Sequence, residues 1–281
     1  MIKYIINIIL MVTPLMVTPL MVTPLIITLC SAQLYAADSS PYKLSVTMDS
    51  LLIGSGAALY ALTLYTKENV DPLTDAEIVA LTPGNINRFD RSAADNWSPG
   101  ADTWSSIILT STMISPLCFV FNDKTRDDFI VLGVMYGESM LITNGLNKTI
   151  KNIVQRKRPF TYNPDAPYKD KKEKDAVLSF YSGHTANAFN SAVFVSTVFS
   201  DYYPQSQWRY AVWGTSLLAA SATGYLRYYS GKHYPTDIIS GAIIGSITGW
   251  AIPALHRNSD ENISVKMMFG EDSMLAVEFY F

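Results

Sequence analysis

The stretch SGHTANAFNSAVFVSTVFS, residues 182–200, decides the fold class. Its apolar residues do not alternate with polar ones at period two, and the run from residue 184 to 200 is longer than a typical strand, so it reads as a helix. Ser182 stands immediately in front, where an N-cap belongs. Five further segments have the same character, with apolar residues mixed among Gly, Ser, Thr and Ala: 46–66, 103–122, 129–147, 210–226 and 238–255. The chain therefore reads as all-α, a bundle of about six helices. Between them, 67–102 is acidic and broken by Pro72, Pro83, Gly84, Pro99 and Gly100, which predicts a short helix and surface loop. Residues 161–176 carry Pro164, Pro167 and lysines from Lys169 to Lys174, which predicts a solvated loop. At the C-terminus, 263–281 alternates around Gly270-Glu271-Asp272, the pattern of a small β-hairpin.

A chain of 281 residues can bury one sizeable core. Its net charge of −3, with only 16% charged residues, offers no general basic field for nucleic acid and no acidic tract for disorder. Any partner must be met at a local site. Residues 1–36 read as an export signal: Lys3 is followed by an uncharged apolar run from Ile5 to Cys30 and small residues at Ala36-Ala37. Met-Val-Thr-Pro-Leu occurs there three times, from Met11, Met16 and Met21, and a proline every fifth residue disfavours a stable membrane helix. Ile27-Thr28-Leu29-Cys30 departs from a lipoprotein box at the large Leu29. Removal of this leader takes Cys30 with it and leaves Cys118 without an internal partner.

Membrane placement is the open structural question. Several segments approach the length a span needs. Against this, the mean hydropathy of +0.15 falls slightly below zero once the leader is subtracted. Asp49 and Glu138 also interrupt apolar segments, and the Ser, Thr and Asn content suits helices packed in water. The loop charges divide: if all six segments crossed, basic 148–176 and acidic 67–102 would share one side. The reading favours an exported domain in the periplasm, soluble or associated with a membrane surface, with an integral bundle as the alternative.

Three separated pieces carry chemistry. Lys151 and Arg158 lie seven apart, so a helix continuing past Asn147 would project both from one face, with Pro159 ending it at Arg158. Arg156 and Lys157 would point elsewhere, into solvent. Ser182-Gly183-His184 opens a helix whose free amides can meet an anion, with Ser182 offering a hydroxyl, Gly183 close backbone approach and His184 a proton. In Arg227-Tyr-Tyr-Ser-Gly-Lys-His233-Tyr-Pro-Thr-Asp237, Pro235 can open a helix near Thr236. Asp237 could then hold one ring nitrogen of His233, leaving the other as nucleophile, while Arg227 completes a positive cradle.

The joint pattern Lys151-x6-Arg158-Pro159, Ser182-Gly183-His184, Arg227-x5-His233-x3-Asp237 resembles that of the type 2 phosphatidic acid phosphatases, a family that includes class A acid phosphatases and vanadium haloperoxidases. The resemblance covers roughly residues 126–255. It implies an all-helical catalytic core over 126–257, preceded by bundle helices and an acidic loop at 37–125 and followed by a tail or hairpin at 258–281. It also implies a site without metal or other cofactor: His233 attacks phosphorus, Asp237 orients it, and His184 protonates the leaving group. Lys151, Arg158, Ser182, the Gly183 amide and Arg227 would hold the phosphoryl oxygens. Expected substrates are phosphomonoesters or diphosphates, foremost an envelope lipid phosphate: an isoprenyl diphosphate, a phosphatidate or a lipid A phosphate. A soluble acid phosphatase acting on small phosphate esters, a vanadium haloperoxidase and a non-catalytic headgroup-binding protein are the rivals. Two positions depart from the family: Tyr181 stands where Pro usually precedes Ser-Gly-His, and Leu226 where Ser usually precedes the third-motif Arg. The first would alter the entry angle of the helix, the second the pocket rim.

Overall fold

A computed structural model describes residues 40–258, 265–269 and 275–279. The export signal, its repeats and Cys30 lie outside the described residues. Six long helices match the six segments: α1 Val46–Lys67, α2 Pro99–Ile114, α3 Phe129–Val154, α4 Gly183–Tyr202, α5 Trp208–Tyr229 and α6 Pro235–His256. Four of the starts follow ordinary capping chemistry. Ser45, Ser98 and Ser182 accept from the backbone N–H of Met48, Ala101 and Thr185, and prolines occupy the first position of α2 and α6, where a missing donor costs nothing. The segment 103–122 is divided at Pro116, where α2 tightens into a 3-10 turn over Ser115–Phe121. At the C-terminus β1 Val265–Phe269 pairs antiparallel with β2 Leu275–Phe279, Val265 opposite Phe279, as the alternation predicted.

The two loops are more ordered than their composition indicated. Within 67–102, the short helix Asp75–Ala80 carries a Thr74/Glu77 capping box, but Asp90 is fully buried and not part of a surface loop. The stretch 161–176 is not simply solvated. It folds into short helical turns, Lys171 is buried, and its Nζ donates to the Asn163 carbonyl at 2.7 Å.

Packing is most extensive between α4 and α6. Gly241, Gly245 and Gly249 form a seam spaced by one turn against Ser182, Ala186 and Asn190. A methyl at Gly241 would sit 2.6 Å from the Ser182 carbonyl oxygen, and methyls at the other two would overlap the Ala186 and Asn190 carbonyls. Nearby polar side chains turn inward. Asn190 Nδ2 donates to Ser139 Oγ at 2.6 Å, Thr143 Oγ1 at 3.0 Å and Thr248 Oγ1 at 2.9 Å. The opposite stripe of α6, Ile239, Ile243, Ile247 and Trp250, is half exposed.

This polarity corrects the reading that Ser, Thr and Asn content signals packing in water: those groups satisfy one another inside, while the apolar faces look out. Four stretches, Val46–Lys67, Pro99–Phe121, Phe129–Tyr162 and Pro235–His256, are long and apolar enough to cross a membrane. Together these features mark the bundle as membrane-associated.

Candidate active site

The three motifs meet at one end of the bundle, where α3 and α5 finish and α2, α4 and α6 begin. The first does so by a route the spacing did not predict. α3 stops at Val154, and Gln155 closes it in the left-handed region at φ 47°. Arg158 therefore does not share a helix face with Lys151; it comes from an extended segment in front of the Pro159–Tyr162 turn. Its backbone N–H donates to the Ala176 carbonyl at 2.8 Å, which fixes that segment. Its guanidinium donates to Asp175 Oδ1 at 2.7 Å, to the carbonyls of Asp175 and Lys232, and through one NH to His233 Nε2 at 3.2 Å. Lys151 lies within electrostatic reach of Arg158, Arg227, Asp175 and Asp237.

That Arg158 contact settles the tautomer of His233. A guanidinium can only donate, so Nε2 is the bare acceptor and the proton sits on Nδ1. Nδ1 faces Asp237 Oδ2 at 3.5 Å, an ion-pair separation too long for a hydrogen bond, and Nδ1 has no other partner. The expected grip of Asp237 on His233 is therefore a facing contact only. The Asp237 carboxylate is held elsewhere: Oδ2 accepts from Ser179 Oγ at 2.5 Å and from the Tyr234 N–H at 3.1 Å, while Oδ1 accepts from Arg156 at 2.6 Å.

Arg156 is the residue whose role the sequence concealed. Far from being solvated, it bridges Asp237 and the buried Asp90, the latter at 2.8 Å, donates to Thr236 Oγ1, and stacks 3.9 Å over the Tyr234 ring. Its neighbours Lys157 and Arg158 make an undifferentiated basic run in sequence, and no local pattern says which one turns inward. Asp90, Ser179 and Thr236 carried no signal either, since each reaches the site through a long-range contact.

Ser182 caps α4 as expected. Its N–H donates to the Asp237 carbonyl at 3.0 Å, tying the start of α4 to that of α6. Tyr181 is fully buried and its carbonyl accepts from Asn147 Nδ2 at 2.9 Å, so the helix entry forms without the proline of the family pattern. Gly183 answers a different neighbour from the one foreseen: a methyl there would lie 2.6 Å from Asn147 Oδ1. The Gly183 and His184 amides lie in the first turn of α4, where backbone N–H groups have no intrahelical acceptor.

Across the site α2 contributes a wall that sequence reasoning missed entirely. Asp102 pairs with Arg227, Ser105 Oγ accepts from the same guanidinium at 3.2 Å, and Ser106 Oγ lies 3.2 Å from His184 Nε2. Arg227 Nε is buried without a partner. A groove of about 530 Å³ runs from here along α2, lined by Asp102, Thr103, Ser106, Ile107, Thr110 and Ser111. Leu226 is half-buried.

The electrostatics follow from this crowding of cations. Burial first, then Arg158, Lys151 and Arg227, hold the His233 imidazole well below the usual histidine range. His184 is held well below its usual value by lost hydration and then by Arg227, Lys151 and Arg158. Burial alone would push the Asp175 carboxyl up, but Arg158 and Lys151 outweigh it and hold the pKa below the ordinary value. The result is a cationic pocket with two neutral imidazoles, a surrounding that gains most from an entering anion.

Residues 132–261 match the PAP2 superfamily. A lipid A 4'-phosphatase of Bacteroides thetaiotaomicron is 31% identical over 126 residues, covering 43% of this chain and 49% of that protein. Another from Porphyromonas gingivalis is 30% identical over 151 residues, 52% of this chain and 58% of the relative. The chain thus spans about half the length of these curated relatives. Among solved structures, a transmembrane PAP2-type phosphatidylglycerolphosphate phosphatase from Bacillus subtilis is 20% identical, covering 71% of this chain and 94% of that one at a TM-score of 0.44.

Proposed function

We propose that the chain, whose residues 132–261 match the PAP2 superfamily, is a phosphatase removing a phosphomonoester from a lipid A-type envelope lipid through a phosphohistidine. The observation that carries the reading is the convergence of Lys151, Arg158 and Arg227 on His233, with its bare Nε2, and on His184 at the open end of α4. Two relatives are lipid A 4'-phosphatases, and the outward apolar faces support a reading in which the bundle meets lipid.

Substrate phosphate takes over Arg158 and Arg227 from their present carboxylate and imidazole partners, together with Lys151 and the first amides of α4. The His233 Nε2 lone pair attacks phosphorus as the P–O ester bond breaks. Positive charge develops on the ring and is met at Nδ1–H by Asp237, which Arg156, Ser179 and Tyr234 hold in place. The leaving alkoxide takes a proton from His184. Phosphate charge opposes the cations that keep His184 neutral in the empty site, so His184 takes up a proton from solvent as substrate binds, and this is the proton it gives to the alkoxide. In the second half His184 accepts a proton from water as its oxygen attacks phosphorus, the N–P bond breaks, and inorganic phosphate leaves.

The bundle's polarity favours an integral placement, with the site at the end opposite Val46 and His256. Export through residues 1–36 belongs to the same proposal. A soluble acid phosphatase would leave the α6 stripe of Ile239, Ile243, Ile247 and Trp250 in water.

The test is phosphate release by the full chain in detergent from lipid A, an isoprenyl diphosphate, phosphatidate and p-nitrophenyl phosphate. Lipid A is expected to be turned over fastest, with an acid-labile phosphoryl adduct trapped on quenching and absent in His233→Ala. Equal turnover of p-nitrophenyl phosphate and lipid A would refute the substrate assignment. Release that persists in His233→Ala would refute the mechanism.

A further inference from the structure

A second cluster lies at the other end of the bundle, where the phosphate chemistry has no use for it. Asp49 in the first turn of α1, Glu138 in the interior of α3 and His256 at the close of α6 converge, exposed by only 1%, 0% and 2%. His256 Nε2 lies 2.7 Å from Asp49 Oδ1 and 3.4 Å from Glu138 Oε2, and one ligand atom from each residue falls within 4.8 Å of the others. His256 Nδ1 lies 2.8 Å from the Ile252 carbonyl oxygen, which can only accept, so Nδ1 carries a proton and Nε2 is the atom turned to the carboxylates. A backbone carbonyl orienting a ring so that its other nitrogen faces carboxylates is how protein histidines are set for metal ligation.

An independent observation separates this cluster from an ordinary buried ion pair. Both oxygens of Glu138 and the second oxygen of Asp49 are buried with no hydrogen-bond partner, although buried carboxylates are normally saturated. No Lys or Arg pairs with Asp49 or Glu138 among the described residues. Three helices thus bring two acidic groups and one imidazole nitrogen within 4.8 Å of one another and leave carboxylate oxygens there without a partner.

We propose that Asp49, Glu138 and His256 bind one divalent transition-metal cation that cross-links α1, α3 and α6. One imidazole nitrogen with two carboxylate oxygens is a donor set for Zn²⁺ or Mn²⁺. Ligand bonds of about 2.1 Å set tetrahedral donor separations near 3.4 Å. The His256–Glu138 distance already meets this, and the His256–Asp49 distance has to open by several tenths of an ångström. The site is structural and lies far from the phosphate pocket: α6 separates His256 from the His233 end by roughly 30 Å at 1.5 Å per residue.

The full chain, purified in detergent and stripped with EDTA, is titrated with Zn²⁺ and Mn²⁺ alone and analysed for bound metal and thermal unfolding. One equivalent per chain and a rise in Tm are expected for the native sequence. The same stoichiometry is expected in His233→Ala, which places the ion outside the phosphate site and makes the result independent of the proposed activity. Glu138→Gln, close in shape, is expected to lose the bound equivalent, and Co²⁺ is expected to give a ligand-field spectrum in the native chain that Glu138→Gln lacks. Absence of stoichiometric metal with no Tm shift would overturn the proposal, leaving a cluster held by shared protons. Retention of the ion in Glu138→Gln would overturn it equally.

Discussion

Arg156→Ala removes the cation that, among the described residues, bridges Asp237 and Asp90, and both carboxylates are fully buried. Stripping a partner from a buried charge costs about 3–5 kcal/mol. The lower end applies here. Asp237 keeps Ser179 and the Tyr234 N–H, Asp90 keeps Asn87 and Thr236, and Arg156 itself is 24% exposed. A loss of about 3 kcal/mol in a domain of this size lowers Tm by about 6–12 °C. The effect on catalysis is separable from this. With Asp237 free to turn, the His233 ring loses its reference, and a displacement of about 1 Å lowers kcat by about 100-fold. Arg156→Lys retains charge but reaches only one carboxylate, so it should fall between the two in both readouts. The assay pairs thermal unfolding in detergent with kcat/KM on p-nitrophenyl phosphate, measured well below the variant's Tm. An Arg156→Ala protein with the native Tm and kcat/KM within about twofold of native would show that the side chain is a solvated charge and the argument wrong.

Protonation gives a second expectation. His233 is held below its usual pKa by burial and neighbouring cations, so the unfolded chain binds a proton that the native chain refuses. Stability is therefore intact above the unfolded value near pH 6.5 and falls as pH drops below it, by up to about 1.4 kcal/mol per pH unit for this residue. His233→Gln should flatten unfolding curves between about pH 6.5 and pH 5, and an unchanged pH slope would refute it. At the α4–α6 seam, Gly245→Ala places a methyl against the Ala186 carbonyl and should cost about 1–3 kcal/mol together with activity. Gly133→Ala, where a methyl meets open space, should be neutral or stabilising, and similar Tm values for the two variants would contradict the packing. Finally, Asp102→Asn removes the carboxylate that competes for Arg227 and should tighten vanadate inhibition by about two- to fivefold, the equivalent of about 0.5–1 kcal/mol. Weaker inhibition would mean that Asp102 positions Arg227 rather than competing for it.

The helices were legible because their signals are local: each long apolar run becomes a helix, four of them opened by a serine cap or a first-position proline, and only the 103–122 run is cut short, at Pro116. His184 and His233 were noticeable for a related reason, since two of only three histidines stand beside helix starts, while Arg227 lies in the last turn of α5. What failed depended on direction rather than position. Spacing placed Lys151 and Arg158 on one helix face, but a left-handed Gln155 ends α3 and changes the path of the chain. Arg156 looked identical to its basic neighbours until Asp90, 66 positions earlier in the chain, claimed one side of it. Polarity misled in the same way. The Ser, Thr and Asn content was read as suiting helices packed in water, while the structure turns Ser139, Thr143 and Asn190 into one another's solvent. Composition counts such groups but cannot say which way they turn.

The glycine seam between α4 and α6 has a consequence for how a bulky substrate gains entry. Backbones in direct contact along three successive turns have no slack to slide or spread, so the two elements that carry Ser182, His184 and Asp237 act as a fixed jaw. The facing wall is α2, whose polar contacts to the site run through Asp102, Ser105 and Ser106. Breaking the Asp102–Arg227 pair would then serve as the latch release, coupling the arrival of a phosphate to the opening of its own doorway.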